Sequence, residues 1–220
     1  MIYCGGFQKV GVVMKRDNLG KRILLVILGQ LFISAGVSLL LYINLGADPM
    51  GVFHTGVANA LNIGFAQAFF IENIVVLVLV FLIDKRYIHI ATVLTLFVVS
   101  MTTKYFTALF MLFIPHDAVF MIKIIVLLVA CLLISIGLNF YVLPDLGVGP
   151  LDVVVEMIVD KKRYSYQSVK VIADLVYLAI GFALGGVVGI GTIISAFVVG
   201  PMIQFTREYM KEPIVKYIGG

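Results

Sequence analysis

The sequence predicts an all-α integral membrane protein in which six transmembrane helices form two inverted three-helix repeats. Three observations lead to this prediction. The chain of 220 residues is 62% hydrophobic and 13% charged, a composition too apolar to cover a water-soluble globule. Six apolar stretches are long enough to cross a bilayer. Much of the first half of the sequence also recurs about 100 positions later.

The six apolar stretches divide equally between the two halves. Each has roughly 20 residues, which at a helical rise of about 1.5 Å per residue matches a hydrocarbon core of about 30 Å. The predicted spans are residues 23–45, 66–83, 89–114, 121–143, 168–187 and 188–206. The predicted organisation is therefore an N-terminal segment at 1–22, a first repeat at 23–114, a second repeat at 121–206 and a C-terminal tail at 207–220.

The internal repeat keeps its spacing across each half. Leu45, Gly46, Pro49 and Val52 recur 101 positions later as Leu146, Gly147, Pro150 and Val153. A unit with three spans must insert upside down the second time, so we expect a pseudo-twofold axis in the membrane plane. Inverted repeats of this kind recur in secondary transporters.

The basic residues predict the orientation of the chain. Lys and Arg cluster in residues 1–22 and after the second, fourth and sixth predicted spans, whereas residues 46–65, 114–120 and 185–189 contain neither. By the positive-inside bias, both termini are expected in the cytoplasm. The net charge of +4 is explained by this topology and by anionic lipid headgroups, so no nucleic-acid partner is expected.

Both repeats break at the same place, and a short helix is predicted after each break. The first break contains Asp48-Pro49-Met50-Gly51, and the second contains Gly149-Pro150-Leu151-Asp152. Glycine permits the turn, and proline is favoured at the first position of a new helix. The predicted helices at 50–62 and 151–162 are about 20 Å long, too short to span the bilayer. They are either re-entrant or interfacial.

The two breaks supply most of the candidate site residues. If the short helices are re-entrant, their positive N-terminal ends approach the midplane from opposite faces and form a site for an anion or carboxylate. The second short helix also carries an acidic stripe, which is typical of a solvated face but could hold a cation. The candidate substrate-binding or coupling residues here are Asp48, Pro49, Gly51, His54, Gly149, Pro150, Asp152 and Glu156.

Ionisable residues within the spans add further candidates, because each costs about 2.5–3.5 kcal/mol at the centre of an inserted helix. Glu72 and Lys104 both fall in the predicted outer half of the bilayer. They are expected either to form a structural ion pair or to act as a gate or substrate clamp. Asp174 is a candidate coupling or substrate residue, and Lys170, one turn earlier, pairs with it or extends to the cytoplasm.

The second break and the closing segment resemble a known family. Residues 145–152 and residues 189–204, which end in Gly-Pro-Met-Ile-Gln, are similar to the YczE/YyaS/YitT family of bacterial multipass membrane proteins. The resemblance covers roughly residues 22–206 and implies a protein of the bacterial plasma membrane. The sequence departs from the family where an aromatic residue commonly follows the proline, since Met50 and Leu151 stand there.

The sequence does not favour an enzyme. It contains no His-Glu-x-x-His zinc motif, no Gly-x-Ser-x-Gly nucleophile motif and no phosphate-binding glycine loop. We therefore expect no catalytic residues, no metal and no cofactor.

The favoured function is that of a secondary transporter for a small polar or organic solute, with the binding site between the repeats. Two alternatives remain open. One is a substrate-binding membrane subunit that recruits a separate ATPase, and the other is a membrane scaffold or accessory protein that transports nothing. The expected partners are the lipid bilayer and a small-molecule solute. A homodimer is compatible with a bundle of this size.

Overall fold

The computed structural model describes residues 18–113, 115 and 119–219, and these residues form helices and no β-strand. Most of the predicted N-terminal segment, residues 1–17, lies outside the described residues. The helices are α1 (Leu19–Ile43), α2 (Pro49–Leu61), α3 (Phe65–Asp84), α4 (Ile90–Phe113), α5 (Phe120–Val142), α6 (Pro150–Lys162), α7 (Tyr166–Ala183) and α8 (Ile190–Gly219), with a 3₁₀ turn at Lys85–Tyr87 between α3 and α4.

Six of these helices, α1, α3, α4, α5, α7 and α8, are long and apolar enough to cross a membrane. The described residues thus confirm the predicted number of spans. Large apolar side chains such as Leu82 and Leu112 are exposed on the outside of the bundle, whereas polar side chains such as Gln30 and Asn139 are buried inside it. That distribution suits a lipid environment. The chain is a multipass membrane protein.

Helices α1 and α5 cross closely at the centre of the bundle and run antiparallel. A Cβ atom on Gly29 would lie 2.6 Å from the carbonyl oxygen of Gly137, and a Cβ on Gly137 would lie 2.7 Å from that of Gly29. Nearer the start of α1, Arg22 Nε donates to the carbonyl of Pro144, just beyond the end of α5, at 2.7 Å. Only glycine permits this approach, because any side chain would separate the two backbones.

Helix α4 packs beside α1, and α8 packs beside α5 in the same manner. Ser38 Oγ donates across the first pair to the carbonyl of Thr103 at 3.0 Å. Asn139 Nδ2 donates across the second pair to the carbonyl of Ile203 at 3.1 Å. The two contacts occupy equivalent positions of the sequence repeat, because Asn139 lies 101 positions after Ser38 and Ile203 lies 100 after Thr103.

The short helices α2 and α6 are 13 residues each, and their predicted bounds are confirmed to within a residue. Each packs against a long helix of the other half of the chain. Helix α2 packs on α7 so closely that a Cβ on Gly56 would collide with the carbonyl of Gly181. Helix α6 packs on α3, where Val153 and Val80 belong to one buried apolar cluster. The two halves are therefore interlocked.

The chain follows the same backbone path through both breaks. Asn44 and Asp145 adopt left-handed φ values of 52° and 53°, and Gly46 and Gly147 adopt φ values of 100° and 102°. The left-handed region favours glycine and tolerates Asn and Asp better than other residues. The sequence thus places suitable residues at each sharp turn.

Each break is covered by the first turn of a spanning helix from the other half. The Gly191 N–H at the start of α8 donates to the carbonyl of Leu45 at 2.8 Å. The Ala91 N–H at the start of α4 donates to the carbonyl of Leu146 at 3.0 Å. These bonds satisfy backbone carbonyls that the interrupted helices leave without a helical partner.

Helix α8 is longer than the span predicted at 188–206. It continues past Pro201 and Pro213 to Gly219. The charged residues after 206 mark the end of the apolar run, but Ile214 and Ile218, one turn apart, are buried against α1 and α5. This packing stabilises a helical end where the sequence predicted a tail.

We predict that Gly29→Ala lowers the free energy of unfolding by about 1–3 kcal/mol, because the added Cβ would force α1 and α5 apart. The matched control is Gly20→Ala, an exposed site on α1 with nothing within 4 Å of the new Cβ. Alanine favours a helix over glycine by about 1 kcal/mol, so this control should be neutral or stabilising. Unfolding of the detergent-purified variants measures both. Equal stability of the two would contradict the close crossing.

Candidate functional site

A cavity of about 300 Å³ lies at the centre of the bundle, and all eight helices contribute to its lining. Its walls are mostly apolar, with Val37 and Leu40 on one side and Ile134 and Leu138 on another. A small number of polar and charged side chains converge on it from the short helices and from α7. A mostly apolar cavity with few convergent polar groups is the usual form of a small-molecule site.

Eight of the eleven candidate residues line this cavity. They are Asp48, Pro49, Gly51, His54, Gly149, Pro150, Asp152 and Asp174. The other three lie elsewhere: Glu72 is buried behind His54, Glu156 is half-buried farther along α6, and Lys104 is exposed on α4. The breaks and α7 therefore build one site.

Lys170 joins the two short helices to α7. Its Nζ lies 2.9 Å from Asp152 Oδ1 at the start of α6 and 3.0 Å from Asp174 Oδ1 on α7. The same Nζ lies 4.0 Å from Met50 Sδ in the first turn of α2. Of the two alternatives for Lys170, pairing with Asp174 is the one observed. The N-terminal ends of α2 and α6 therefore meet at one ammonium group.

The predicted pair of Glu72 with Lys104 is wrong. Glu72 on α3 is buried and pairs instead with His54, whose Nε2 lies 2.5 Å from Glu72 Oε1. The sequence placed both predicted partners at the same depth, but depth does not determine which face of a helix a residue occupies. Lys104 lies on the exposed face of α4.

His54 is held on both sides. Its Nδ1 faces the carbonyl of Met50 at 2.5 Å, one turn earlier in α2, and its ring stacks on Phe69 with ring centroids 4.8 Å apart. Each ring nitrogen thus faces an oxygen atom. The pair with Glu72 fixes α2 against α3 beside the cavity.

Asp48 occupies the N-cap position of α2 and lines the cavity. The ion pairs found at this site among the described residues are His54–Glu72, Lys170–Asp152 and Lys170–Asp174, and none includes Asp48. A Cβ on Gly51 would lie 2.8 Å from Asp48 Oδ1, so glycine leaves room for the carboxylate. Asp48 is therefore a half-buried carboxylate that faces the cavity without a close cation of the described chain.

Sequence reasoning missed a polar cluster that α1, α4 and α5 contribute to the cavity wall. Gln30 Nε2 donates to Thr95 Oγ1 at 2.7 Å, and Thr95 Oγ1 lies 3.3 Å from the hydroxyl of Tyr141. Gln30 is 1% exposed, and its Oε1 has no hydrogen-bond partner among the described residues. The available signal was an amide in the middle of an apolar span, where a polar group is costly.

We predict that Glu72→Leu lowers the free energy of unfolding by about 3–5 kcal/mol, because it leaves His54 buried without its partner. Lys104→Leu should change it by less than about 0.5 kcal/mol, since Lys104 is exposed. In double-mutant cycles, Glu72 should couple to His54 and be additive with Lys104. Coupling of Glu72 to Lys104 would contradict the observed pairing.

Comparisons with known proteins agree with this picture of a membrane protein. The chain is 28% identical over 189 residues to an uncharacterized protein of Haemophilus influenzae, covering 84% of this chain and 83% of that protein. It is 26% identical over 179 residues to the uncharacterized membrane protein YczE of Bacillus subtilis, covering 81% of each. No solved structure matches. The model of a family of unknown function, DUF6198, matches residues 20–208, and the chain belongs to that family.

Proposed function

We propose that this protein is a secondary transporter of a small polar or organic solute, and that the central cavity is its binding site. The observation that carries the proposal is the convergence of both helix breaks on one central cavity at Lys170. Broken helices that meet at a central site are a recurrent feature of secondary transporters. A scaffold has no need for a central cavity lined by charged groups, which are costly to bury.

The proposed architecture is an inverted repeat in which α1–α4 correspond to α5–α8. The antiparallel crossing of α1 and α5 supports it, because these helices are equivalent in the sequence repeat. The equivalent bonds Ser38–Thr103 and Asn139–Ile203 support it as well. In this architecture α2 and α6 are re-entrant half-helices that enter from opposite faces.

The proposed location is the bacterial plasma membrane, with both termini in the cytoplasm. The basic connections at Lys85–Tyr87 and after α6 support this orientation, as the positive-inside bias requires. The two relatives compared above come from bacteria. In this orientation α7 begins at the cytoplasmic face, so Asp174 lies about two turns into the bilayer.

Asp152, Lys170 and Asp174 are the proposed coupling group. One ammonium is shared by a carboxylate on α6 and another on α7, at nearly equal distances. Protonation of Asp174 would leave Lys170 bound to Asp152 alone. A single proton would therefore change the strength of the contact between α6 and α7. Alternating access requires helices to move relative to one another, and a proton-dependent contact of this kind would control such a movement.

The test begins with thermal unfolding of the detergent-purified chain against a metabolite panel at two pH values. A ligand at 100 times its Kd should stabilise the native state by about 2.7 kcal/mol. We predict that Asp174→Asn abolishes this stabilisation and lowers uptake of the same solute into proteoliposomes by at least about tenfold. Asp160→Asn, an exposed carboxylate on α6, is the matched control and should behave as the wild type.

Uptake by the isolated chain also separates the proposed carrier from a subunit that needs an ATPase. The proposal requires uptake without any added ATPase. A panel that leaves the unfolding of the wild type and of Asp174→Asn unchanged would favour the scaffold instead.

A further inference from the structure

We propose that the central cavity takes a solute carrying a single positive charge on an ammonium group, attached to a small apolar body, and that Asp48 is its counter-ion. This inference rests on the proposed transport function and adds the substrate class. It is carried by three observations: the balance of charge in the lining, the occupied helix ends and the type of polar atom left without a partner.

With its carboxylates ionised, the lining carries one net negative charge. Its carboxylates are Asp48, Asp152 and Asp174, and its permanent cations are Lys170 and Arg207. His54 pairs with Glu72, so the charges of these two side chains offset each other. Burial of an uncompensated charge is expensive, and a monocation would balance this one. An anion would instead double the excess.

The two helix ends are already occupied by carboxylates of the chain. Asp48 stands at the N-cap of α2, and Asp152 lies in the first turn of α6. A carboxylate at a helix N-terminus offsets the positive end of the helix dipole. The anion site expected from the sequence is therefore not free at either end. Asp152 is in turn bound by Lys170, which leaves Asp48 as the carboxylate for a ligand.

One buried polar atom of the cavity lining that has neither a hydrogen-bond partner nor an ion-pair partner among the described residues is an acceptor. Gln30 lines the cavity and is 1% exposed, and its Nε2 is used by Thr95 while its Oε1 has no hydrogen-bond partner among the described residues. A buried acceptor left unpaired destabilises the protein. A ligand that donates hydrogen bonds would satisfy this atom, and a carboxylate ligand, which only accepts, would not.

The remaining wall is suited to an apolar body. Phe65 and Phe69 line the cavity beside His54, and Leu40 and Ile134 face it from the central helices. A cavity of about 300 Å³ is at the small end of the usual range for ligand sites. We therefore expect a small amine with one ring or a short chain.

The test uses three probes of similar shape and different charge. They are 2-phenylethylammonium, neutral 2-phenylethanol and anionic 3-phenylpropanoate, and their binding to the purified full chain is measured by equilibrium dialysis. We predict that the ammonium binds at least about tenfold more tightly than either of the others. This comparison needs no variant. Preference for the anion, equal binding of all three, or a Kd for the ammonium weaker than about 1 mM would overturn the inference.

Variants then locate the counter-ion. Asp48→Asn should weaken ammonium binding by at least about tenfold and leave the weak binding of 2-phenylethanol unchanged. Asp160→Asn, which removes an exposed carboxylate at the other end of α6, should leave ammonium binding unchanged. Equal ammonium binding by Asp48→Asn and the wild type would overturn the assignment of Asp48.

Uptake into proteoliposomes separates this inference from the proposed function. Binding and uptake of the ammonium would support both. Preferential binding and uptake of the anion would overturn the cation inference and leave the transporter standing. Selective binding of the ammonium without its uptake would support the cation site and overturn the transporter.

Discussion

The constraint on which this structure depends is that backbone polar groups inside a bilayer must be bonded within the protein. A helix satisfies this requirement by itself, but in the proposed architecture two breaks between helices lie within the bilayer. The carbonyls of Leu45 and Leu146 are therefore bonded to the first turns of α8 and α4. Because each break depends on a helix from the other half, neither half can satisfy its own break. The interlocked arrangement follows from this dependence.

Interlocking determines where the charged residues can lie. The break before α2 is covered by α8, and α2 itself packs on α7. The first turn of α2 is therefore surrounded by protein. The break before α6 is covered by α4, and α6 packs on α3. Asp48 and Asp152, at the starts of these helices, are thereby brought to one cavity away from lipid. Charges that would be costly against hydrocarbon are tolerated there, because protein groups surround them.

The spans and breaks could be predicted from the sequence because each has a local cause. Apolar runs determine the spans, and Pro49 and Pro150 determine where the short helices begin. The partner of Glu72 could not be predicted, since it depends on how α2 is rotated against α3. The polar cluster at Gln30 was missed for a related reason. A single amide in an apolar run indicates a buried polar group that needs hydrogen-bond partners. The residues that supply those partners lie on other helices, so the sequence does not identify them.

Lys170 connects the fold to the proposed mechanism. It lies between two carboxylates, and together with Arg207 it leaves the lining with one excess negative charge, which we assign to Asp48. A cationic ligand would compensate that charge and weaken the attraction between Asp48 and the ammonium of Lys170. Binding would then change the balance of charge on α2, α6 and α7 together, although the ligand need contact only one of these helices. A ligand shifts a conformational equilibrium only by its differential affinity for the two conformations. In the proposed transporter, this redistribution of charge would link binding of the ligand to movement of the helices.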